Sequence, residues 1–395
     1  MKKALVVGGS NGIGLAVVNE LLQKGYLVFI CDRSEPDFQN IIDMSRVQYK
    51  KCNLLDLNLN DFAVLADDAE FSVLFISAGI GRCAHFENLN FGEIKNTMTI
   101  NAVSAIEIIR YFYKRISSAE SFYCGAMVSI AGFINSPLFS VYAASKAALC
   151  RFLESVNVEL EKKGTRNRIL NVSPGSIKGT KFNGGKTNDL NESKNLAEKI
   201  TENLLSKKTL FIPEYDTVFK SVLERNFADN RKFGLESYDY KMKSGRVRDD
   251  VKGCIGYLSG TFDLFHVGHL NLLKRAKEQC DYLIVGVHPN AAHKGKETFI
   301  SFDERKSIVA SVKYVDEVIR SFPEDSEAWE TVRYNKLFVG SDYKGTERFN
   351  RYEKFFADKG VQIVYFSYTK GTSSTQIREA ILSKTQIKRD LEKLN

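Results

Sequence analysis

Ala4-Leu5-Val6-Val7-Gly8-Gly9-Ser10-Asn11-Gly12-Ile13-Gly14 is an apolar run broken by a glycine-rich turn. The apolar residues suit a buried parallel strand, and an amphipathic stretch begins near Ile13, so the segment predicts strand, turn and helix. A helix starting there aims its first N–H groups at the turn, where glycines let the backbone approach a pyrophosphate. Gly8, Ser10, Asn11, Gly12, Ile13 and Gly14 are therefore expected to hold a dinucleotide. Asp32 closes the next apolar run, Leu27 to Cys31. A carboxylate there accepts hydrogen bonds from an adenosine ribose and repels a 2′-phosphate. Arg33 beside it favours the 2′-phosphate, so NAD(H) and NADP(H) both stay open.

Outward from this segment, strand-like runs recur at Val73 to Ile76, Ala126 to Ser129, Ile169 to Val172 and Leu210 to Ile212, with amphipathic stretches between. That alternation predicts a parallel sheet covered by helices on both faces. From about 225 to 253 the apolar period fades, and Arg231, Lys232, Lys241, Lys243, Arg246 and Arg248 crowd together, marking either a solvated linker or an ordered arm. Alternation resumes with strands at Ile255 to Leu258, Tyr282 to Val287, Lys336 to Val339 and Gln362 to Phe366. The tail from Ser383 reads as a short charged helix. The expected fold class is α/β: two doubly wound parallel-sheet, Rossmann-like domains in tandem, residues 1–225 and 253–395, joined by 226–252.

At 395 residues, 44% hydrophobic and 26% charged, the chain has a globular composition and enough length for two cores. A net charge of +8 suits ligands that carry phosphate. The Lys and Arg residues are scattered, without the dense basic run interleaved with aromatics that nucleic-acid binders present, so no nucleic-acid partner is expected. The seven cysteines form no C-x-x-C pair, which suits free thiols in a reducing compartment. No run reaches the about twenty apolar residues that cross a bilayer, and the stretch after Lys2-Lys3 is too short for a signal peptide. A cytoplasmic protein without a transmembrane segment is expected.

Tyr142 and Lys146 stand four apart, hence on one face of a helix. The pair is common by chance, and its context carries the meaning: Ser129 after an apolar run, Asn101 opening Asn101-Ala102-Val103, and Pro174-Gly175 after the next strand. Together these residues resemble the short-chain dehydrogenase/reductase family over residues 1 to about 215. The resemblance implies a catalytic tetrad of Asn101, Ser129, Tyr142 and Lys146. Tyr142 would be the general acid or base, its phenol lowered toward neutrality by the ammonium and a positive nicotinamide. Ser129 would bond the reacting oxygen, Lys146 the nicotinamide ribose, and Asn101 would position a relay water. The resemblance adds Asn53, Ala78, Gly79, Pro174, Gly175 and Ile177 to the cofactor contacts. Ser77 and Asn53 depart from the family's usual residues at their positions, and Thr180 lies one place beyond the usual cofactor-amide threonine. Lys178, Lys181, Lys186 and Lys194 read either as a phosphate clamp for an anionic ketose or as a solvated lid.

The chain holds five histidines, so His266 and His269 in Gly260-Thr261-Phe262-Asp263-Leu264-Phe265-His266-Val267-Gly268-His269 are a specific signal. A zinc pair, helix-start capping and satisfied buried histidines are the competing structural readings. The stretch resembles the nucleotidyltransferases that include glycerol-phosphate and choline-phosphate cytidylyltransferases, over residues 253 to about 382. Lys294, Lys296, Ser301 to Arg305, Val339 to Asp342, and Gly371 to Arg378 support it. The resemblance implies that His266, His269, Lys294 and Lys296 serve catalysis. It implies CTP contacts by Gly260, Thr261, Phe262, Asp263, His266, His269, Lys296, Arg305, Gly340, Asp342, Lys370, Thr372, Ser373, Ser374 and Thr375. A phosphomonoester oxygen would attack the α-phosphorus of CTP in line, with Mg²⁺ on the triphosphate. The family's arginine is replaced by Tyr368, with Lys370 nearby, and an ATP-using adenylyltransferase stays open.

A reductase that makes an alcohol from a keto-phosphate leaves the phosphate that a cytidylyltransferase needs as nucleophile. The expectation is a bifunctional enzyme. It takes a small phosphorylated keto-sugar or triose phosphate to an alditol phosphate with NAD(P)H, then to a CDP-alditol of the CDP-glycerol or CDP-ribitol type for bacterial surface polysaccharide. A non-catalytic NAD(P)-binding regulatory domain is the alternative for the first half. Both resemblances imply a homodimer.

Overall fold

The structure, a computed structural model, describes residues 2–59, 62, 71–177, 190–249, 253–291, 297–367 and 376–380. The chain forms two compact units, Met1–Leu89 with Ile94–Val251, and Asn90–Glu93 with Lys252–Asn395. Strands of the first are β1 (Lys3–Val7), β2 (Leu27–Asp32), β3 (Val47–Lys51), β4 (Phe71–Ile76), β5 (Tyr123–Met127), β6 (Ile169–Val172) and β7 (Leu210–Phe211). They make one sheet in the order β3-β2-β1-β4-β5-β6-β7, and every pairing is parallel.

Successive side chains on a strand point to opposite faces, and here both faces are covered. Leu5, Val7, Phe29, Leu74 and Ile76 enter one core, while Ala4, Val6, Val28, Val73 and Phe75 enter the other. This two-sided burial is why the strands read as unbroken apolar runs. β3 escaped the sequence reading because it is an edge strand, Val-Gln-Tyr-Lys-Lys, whose residues are only partly buried. β5 ends at Met127, so Ser129 stands beyond the strand and caps a short turn at Ile130–Gly132, accepting from Ala131 N at 3.2 Å. β1 pairs with β2 on one side and β4 on the other, which opens a crevice at their carboxyl ends.

Between 220 and 243 the chain is helical, as Lys220–Ala228 and Asn230–Lys243, with Asp229 capping the second through Lys232 N at 2.9 Å. The apolar period fades there because that second helix buries only Phe233 and Gly234.

In the second unit β8 (Ile255–Gly260), β9 (Tyr282–Val287), β10 (Glu317–Arg320), β11 (Lys336–Gly340) and β12 (Gln362–Phe366) form a sheet ordered β10-β9-β8-β11-β12. Leu258, Val285 and Phe338 pack on one face, and Tyr257, Ile284 and Leu337 on the other. β10 carries Glu317 and Arg320 at the sheet edge, the same reason β3 was missed. Among the described residues no helix is long and apolar enough to cross a membrane. The charged tail from Ser383 lies outside the described residues.

Candidate active sites

A cleft of about 860 Å³ opens at the carboxyl ends of β1, β4 and β5. Gly8 has φ +82°, and a Cβ there would collide with the Ala78 backbone. A Cβ on Gly14 would strike the Gly8 carbonyl oxygen, so the turn is packed as tightly as a bare backbone allows. Ser10 holds Asp32 from two sides, its N and Oγ donating to Oδ2 at 3.1 and 2.6 Å. Asn11, Gly12, Ile13, Arg33, Asn53, Ala78, Gly79, Pro174, Gly175 and Ile177 line the same cleft. The Asn53 side chain also accepts from Leu55 N at 3.2 Å, which fixes the short turn Leu54–Asp56.

The helix Ser140–Lys162 presents Tyr142 and Lys146 to this cleft together with Ser129. Lys146 Nζ lies 5.9 Å from the centre of the Tyr142 ring and donates to Met127 O at 2.8 Å. Asn101 sits in a π-helical turn, Thr99–Val103, the kind of local insertion often found at functional sites. Its side chain accepts from Ile80 N and donates to Ile80 O, both at 2.8 Å, and to Ser145 Oγ at 2.9 Å. Asn101 does not line the cleft; it stands behind Gly79, where an added Cβ would meet Lys146 Nζ at 3.3 Å and Asn101 Oδ1 at 3.4 Å.

At the end of β8 the chain turns through Phe262 and Leu264, both in the left-handed region at φ 52° and 50°. For residues with a Cβ this conformation is strained, and such strain gathers at functional sites. His266 then caps the helix Val267–Lys277, its Nδ1 accepting from Gly268 N at 3.0 Å, while His269 Nδ1 accepts from His266 N at 3.4 Å. The two rings lie 4.0 Å apart. An Nδ1 that accepts cannot carry the proton, so each neutral imidazole bears it on Nε2 as a donor. Capping and hydrogen-bond donation are thus compatible in one geometry. Burial pushes His266 below its usual value, which keeps it neutral near pH 7. The Thr261 hydroxyl is buried and has no hydrogen-bond partner among the described residues. Gly340 ends the neighbouring strand β11, and Asp342 lies in the turn Ser341–Tyr343 that follows.

Comparison with known proteins separates the two halves. The family model for short chain dehydrogenase matches residues 2–191, and that for cytidylyltransferase-like proteins matches residues 257–380. The chain is 37% identical to glycerol-3-phosphate cytidylyltransferase of Bacillus subtilis over 127 residues, 31% of this chain and 92% of that protein. The Staphylococcus aureus protein of the same name is 33% identical over 129 residues, 32% of this chain and 92% of its own. The chain belongs to the cytidylyltransferase family through its second half, which resembles glycerol-3-phosphate cytidylyltransferase, and its first half is a short-chain dehydrogenase domain. For the dehydrogenase domain, dehydrogenase RED2 of Cochliobolus heterostrophus is 30% identical over 168 residues, 42% of this chain. The match spans 63% of that relative's length. A short-chain dehydrogenase/reductase from Burkholderia phymatum, solved in complex with NAD, aligns with TM-score 0.50 at 15% identity over 57% of this chain and 94% of its own, a likeness of fold alone.

Burial dominates the electrostatics of Lys146 and Tyr142. It pushes Lys146 down to about 7 and pushes the Tyr142 phenol up, with a hydrogen bond from Ser129 opposing the second shift. The protein groups alone therefore raise the phenol rather than lower it, because burial outweighs the Ser129 hydrogen bond, while Lys146 Nζ donates to the Met127 carbonyl. Lys194 is exposed on the helix Leu190–Leu205 and does not line the cleft, so it drops out of the expected clamp. Lys178, Thr180, Lys181 and Lys186 lie outside the described residues.

In the cytidylyltransferase domain Arg305 is corrected from a CTP contact to a scaffold residue. It is fully buried, and its guanidinium donates to the carbonyls of Thr261, Pro289, His288 and Ile300. Asp263 is likewise engaged, accepting from Phe299 N and Ile300 N at 3.1 Å and from Arg378 at 3.1 Å. Arg378 was legible only as part of the Gly371 to Arg378 element, since its partner is 115 residues away. Lys294, Lys296, Tyr368, Lys370, Thr372, Ser373, Ser374 and Thr375 lie outside the described residues.

Proposed function

We propose that the dehydrogenase domain reduces a ketose or triose phosphate to an alditol phosphate, and that the cytidylyltransferase domain couples the alditol phosphate to CTP. The products are a CDP-alditol, of the CDP-glycerol or CDP-ribitol type, and pyrophosphate. A CDP-alditol is the activated form in which an alditol phosphate enters a surface polymer. The observation that carries this reading is the pairing itself. A cleft with Ser129, Tyr142 and Lys146 shares a chain with a domain 37% identical to an enzyme named for glycerol-3-phosphate, a phosphate ester that reduction of a triose phosphate produces.

The glycine turn, whose cradle an added Cβ would fill, fits a cofactor pyrophosphate, and Asp32, already held by Ser10, fits its adenosine ribose. Bound NAD(P)H supplies the hydride. Tyr142 then protonates the developing alkoxide, Ser129 hydrogen-bonds the same oxygen, and Lys146 holds the nicotinamide ribose and favours proton return to Tyr142. Asn101, through the Ile80 backbone and Ser145, keeps the wall beside Lys146 in place.

In the second domain a phosphate oxygen of the alditol phosphate bonds to the α-phosphorus of CTP as the bond to the β-phosphate oxygen breaks. His266 and His269 donate from Nε2 to the phosphoryl oxygens as charge spreads over them. Thr261 adds a buried hydroxyl that has no partner among the described residues. Mg²⁺ arrives on the triphosphate of CTP, as part of that substrate. Lys294 and Lys296 draw the two anions together.

The test is a coupled reaction of the purified chain with CTP, NADPH or NADH, and a panel of ketose phosphates, read by mass spectrometry of the nucleotide product. A CDP-alditol is expected with at least one member. Tyr142→Phe is expected to abolish product from the ketone and to spare product from glycerol 3-phosphate. No CDP-linked product from any member, while glycerol 3-phosphate reacts, would sink the coupling and leave the first domain without its proposed role.

A further inference from the structure

The helix Asn230–Lys243 and the segment after it carry three cations, Lys241, Arg246 and Arg248, into the wall of the dehydrogenase cleft. Contacts within the first unit fix the Lys241 side chain and the Arg248 backbone. Lys241 Nζ donates to Ser136 Oγ at 2.8 Å and Pro137 O at 2.7 Å, and lies 5.6 Å from the Phe139 ring. Phe139 is in turn 5.4 Å from the Tyr142 ring. Arg248 N donates to Cys83 O at 2.8 Å, and its carbonyl accepts from Arg82 at 2.7 Å. Asp249 is clasped by His85, whose Nδ1 is 2.6 Å from the carboxylate and whose Nε2 meets Tyr238 at 2.9 Å.

Asp249, next to Arg248 in sequence, is therefore committed to His85. Among the described residues Lys241, Arg246 and Arg248 form no ion pair. Burial pushes Lys241 down to about 8, and the charge of Arg246 acts in the same direction. Like charges gathered on a half-buried wall are costly until an anion joins them.

We propose that Lys241, Arg246 and Arg248 form an anion subsite that takes the phosphate of the ketone substrate beside Tyr142. The proposal rests on the reading of this cleft as a ketose phosphate reductase site. It assigns phosphate recognition to the arm rather than to the lysines after Pro174. Asp32 and Arg33 mark the adenosine end of the cleft, whereas Ser136, Phe139 and Tyr142 mark the end where a carbonyl must sit, and Lys241 is built onto the latter. A phosphate there adds charge-assisted bonds to two guanidinium forks that match its geometry.

The experiment uses the full chain carrying Arg246→Gln and Arg248→Gln, which leaves the main-chain bonds to Cys83 and Arg82 intact. Dihydroxyacetone phosphate and dihydroxyacetone are compared as substrates, and NADPH and NADH affinities are read by cofactor fluorescence. The KM for the phosphorylated ketone should rise about tenfold or more, with the KM for dihydroxyacetone and the cofactor Kd unchanged. An equal KM in variant and parent, or a loss confined to cofactor affinity, overturns the subsite. Calorimetry with dihydroxyacetone phosphate on the cofactor-loaded chain, with CTP saturating the second domain, decides the matter without turnover. Binding lost in the variant supports the subsite even if neither ketone is reduced, the result that would defeat the reductase reading instead. Binding equal in both proteins, or detected in neither, overturns the subsite.

Discussion

Lys146 titrates at about 7 in the folded chain against 10.5 for an ordinary lysine, because it is buried. Above pH 10.5 neither folded nor unfolded chain holds the proton. As pH falls toward 7 the unfolded chain takes up a proton that the folded one resists, so stability declines across that window. Lys146→Met should abolish hydride transfer and stabilise the protein at pH 7 by about 4 kcal/mol, a gain that shrinks toward pH 10. Urea unfolding at the two pH values reads the difference; equal gains would show that Lys146 is not desolvated. Tyr142→Phe should cost about 10²–10⁴ in reduction while cofactor fluorescence titration stays the same. In the other domain burial lowers the pKa of His266 and its Nδ1 accepts from Gly268 N, so the proposed mechanism uses a neutral ring that donates from Nε2. Nucleotidyl transfer should therefore be flat from pH 7 to 8 and change only below the ordinary imidazole range. A rate that follows a group titrating above 7 would contradict that tautomer.

Turns and helix starts were the most legible elements, because their determinants are local. Gly8 and Gly14 could be read as a tight turn before any fold was known, and the structure packs the Ala78 backbone and the Gly8 carbonyl oxygen where their Cβ atoms would stand. Gly14→Ala should raise the cofactor Kd about tenfold or more, the scale of a 1–3 kcal/mol backbone strain, and leave cytidylyl transfer unaltered. Both readings of His266, cap and donor, stood open in the sequence and share one geometry, since the cap uses Nδ1. Edge strands were illegible: β3 and β10 lack the two-sided burial that produces an apolar run. Arg305 was misread for the complementary reason. Nothing local shows that four carbonyls from separate loops converge on its guanidinium. Arg305→Lys should cost about 2–4 kcal/mol of stability, seen as an earlier urea midpoint, with CTP affinity falling only as the Thr261 loop loosens.

The whole molecule combines two sheets with separate cores, one around Leu5 and Val6 and one around Leu258 and Tyr257. Each ligand should stabilise its own unit by mass action. Scanning calorimetry is expected to show NADPH raising one transition and CTP another; a single transition raised equally by both would count against two cooperative units. By itself, the sequence determined that there are two α/β units, that each begins with a strand feeding a tight turn and then a helix, and that Tyr142 and Lys146 share one helix face. All of these follow from spacing along one segment. Only the tertiary structure decided that Asn101 supports the cleft from behind, that Arg305 and Asp263 brace loops, and that Lys241, Arg246 and Arg248 wall the dehydrogenase cleft instead of dressing a linker. Those outcomes depend on which distant backbone groups packing brings to a charged side chain, and spacing along the chain does not encode that.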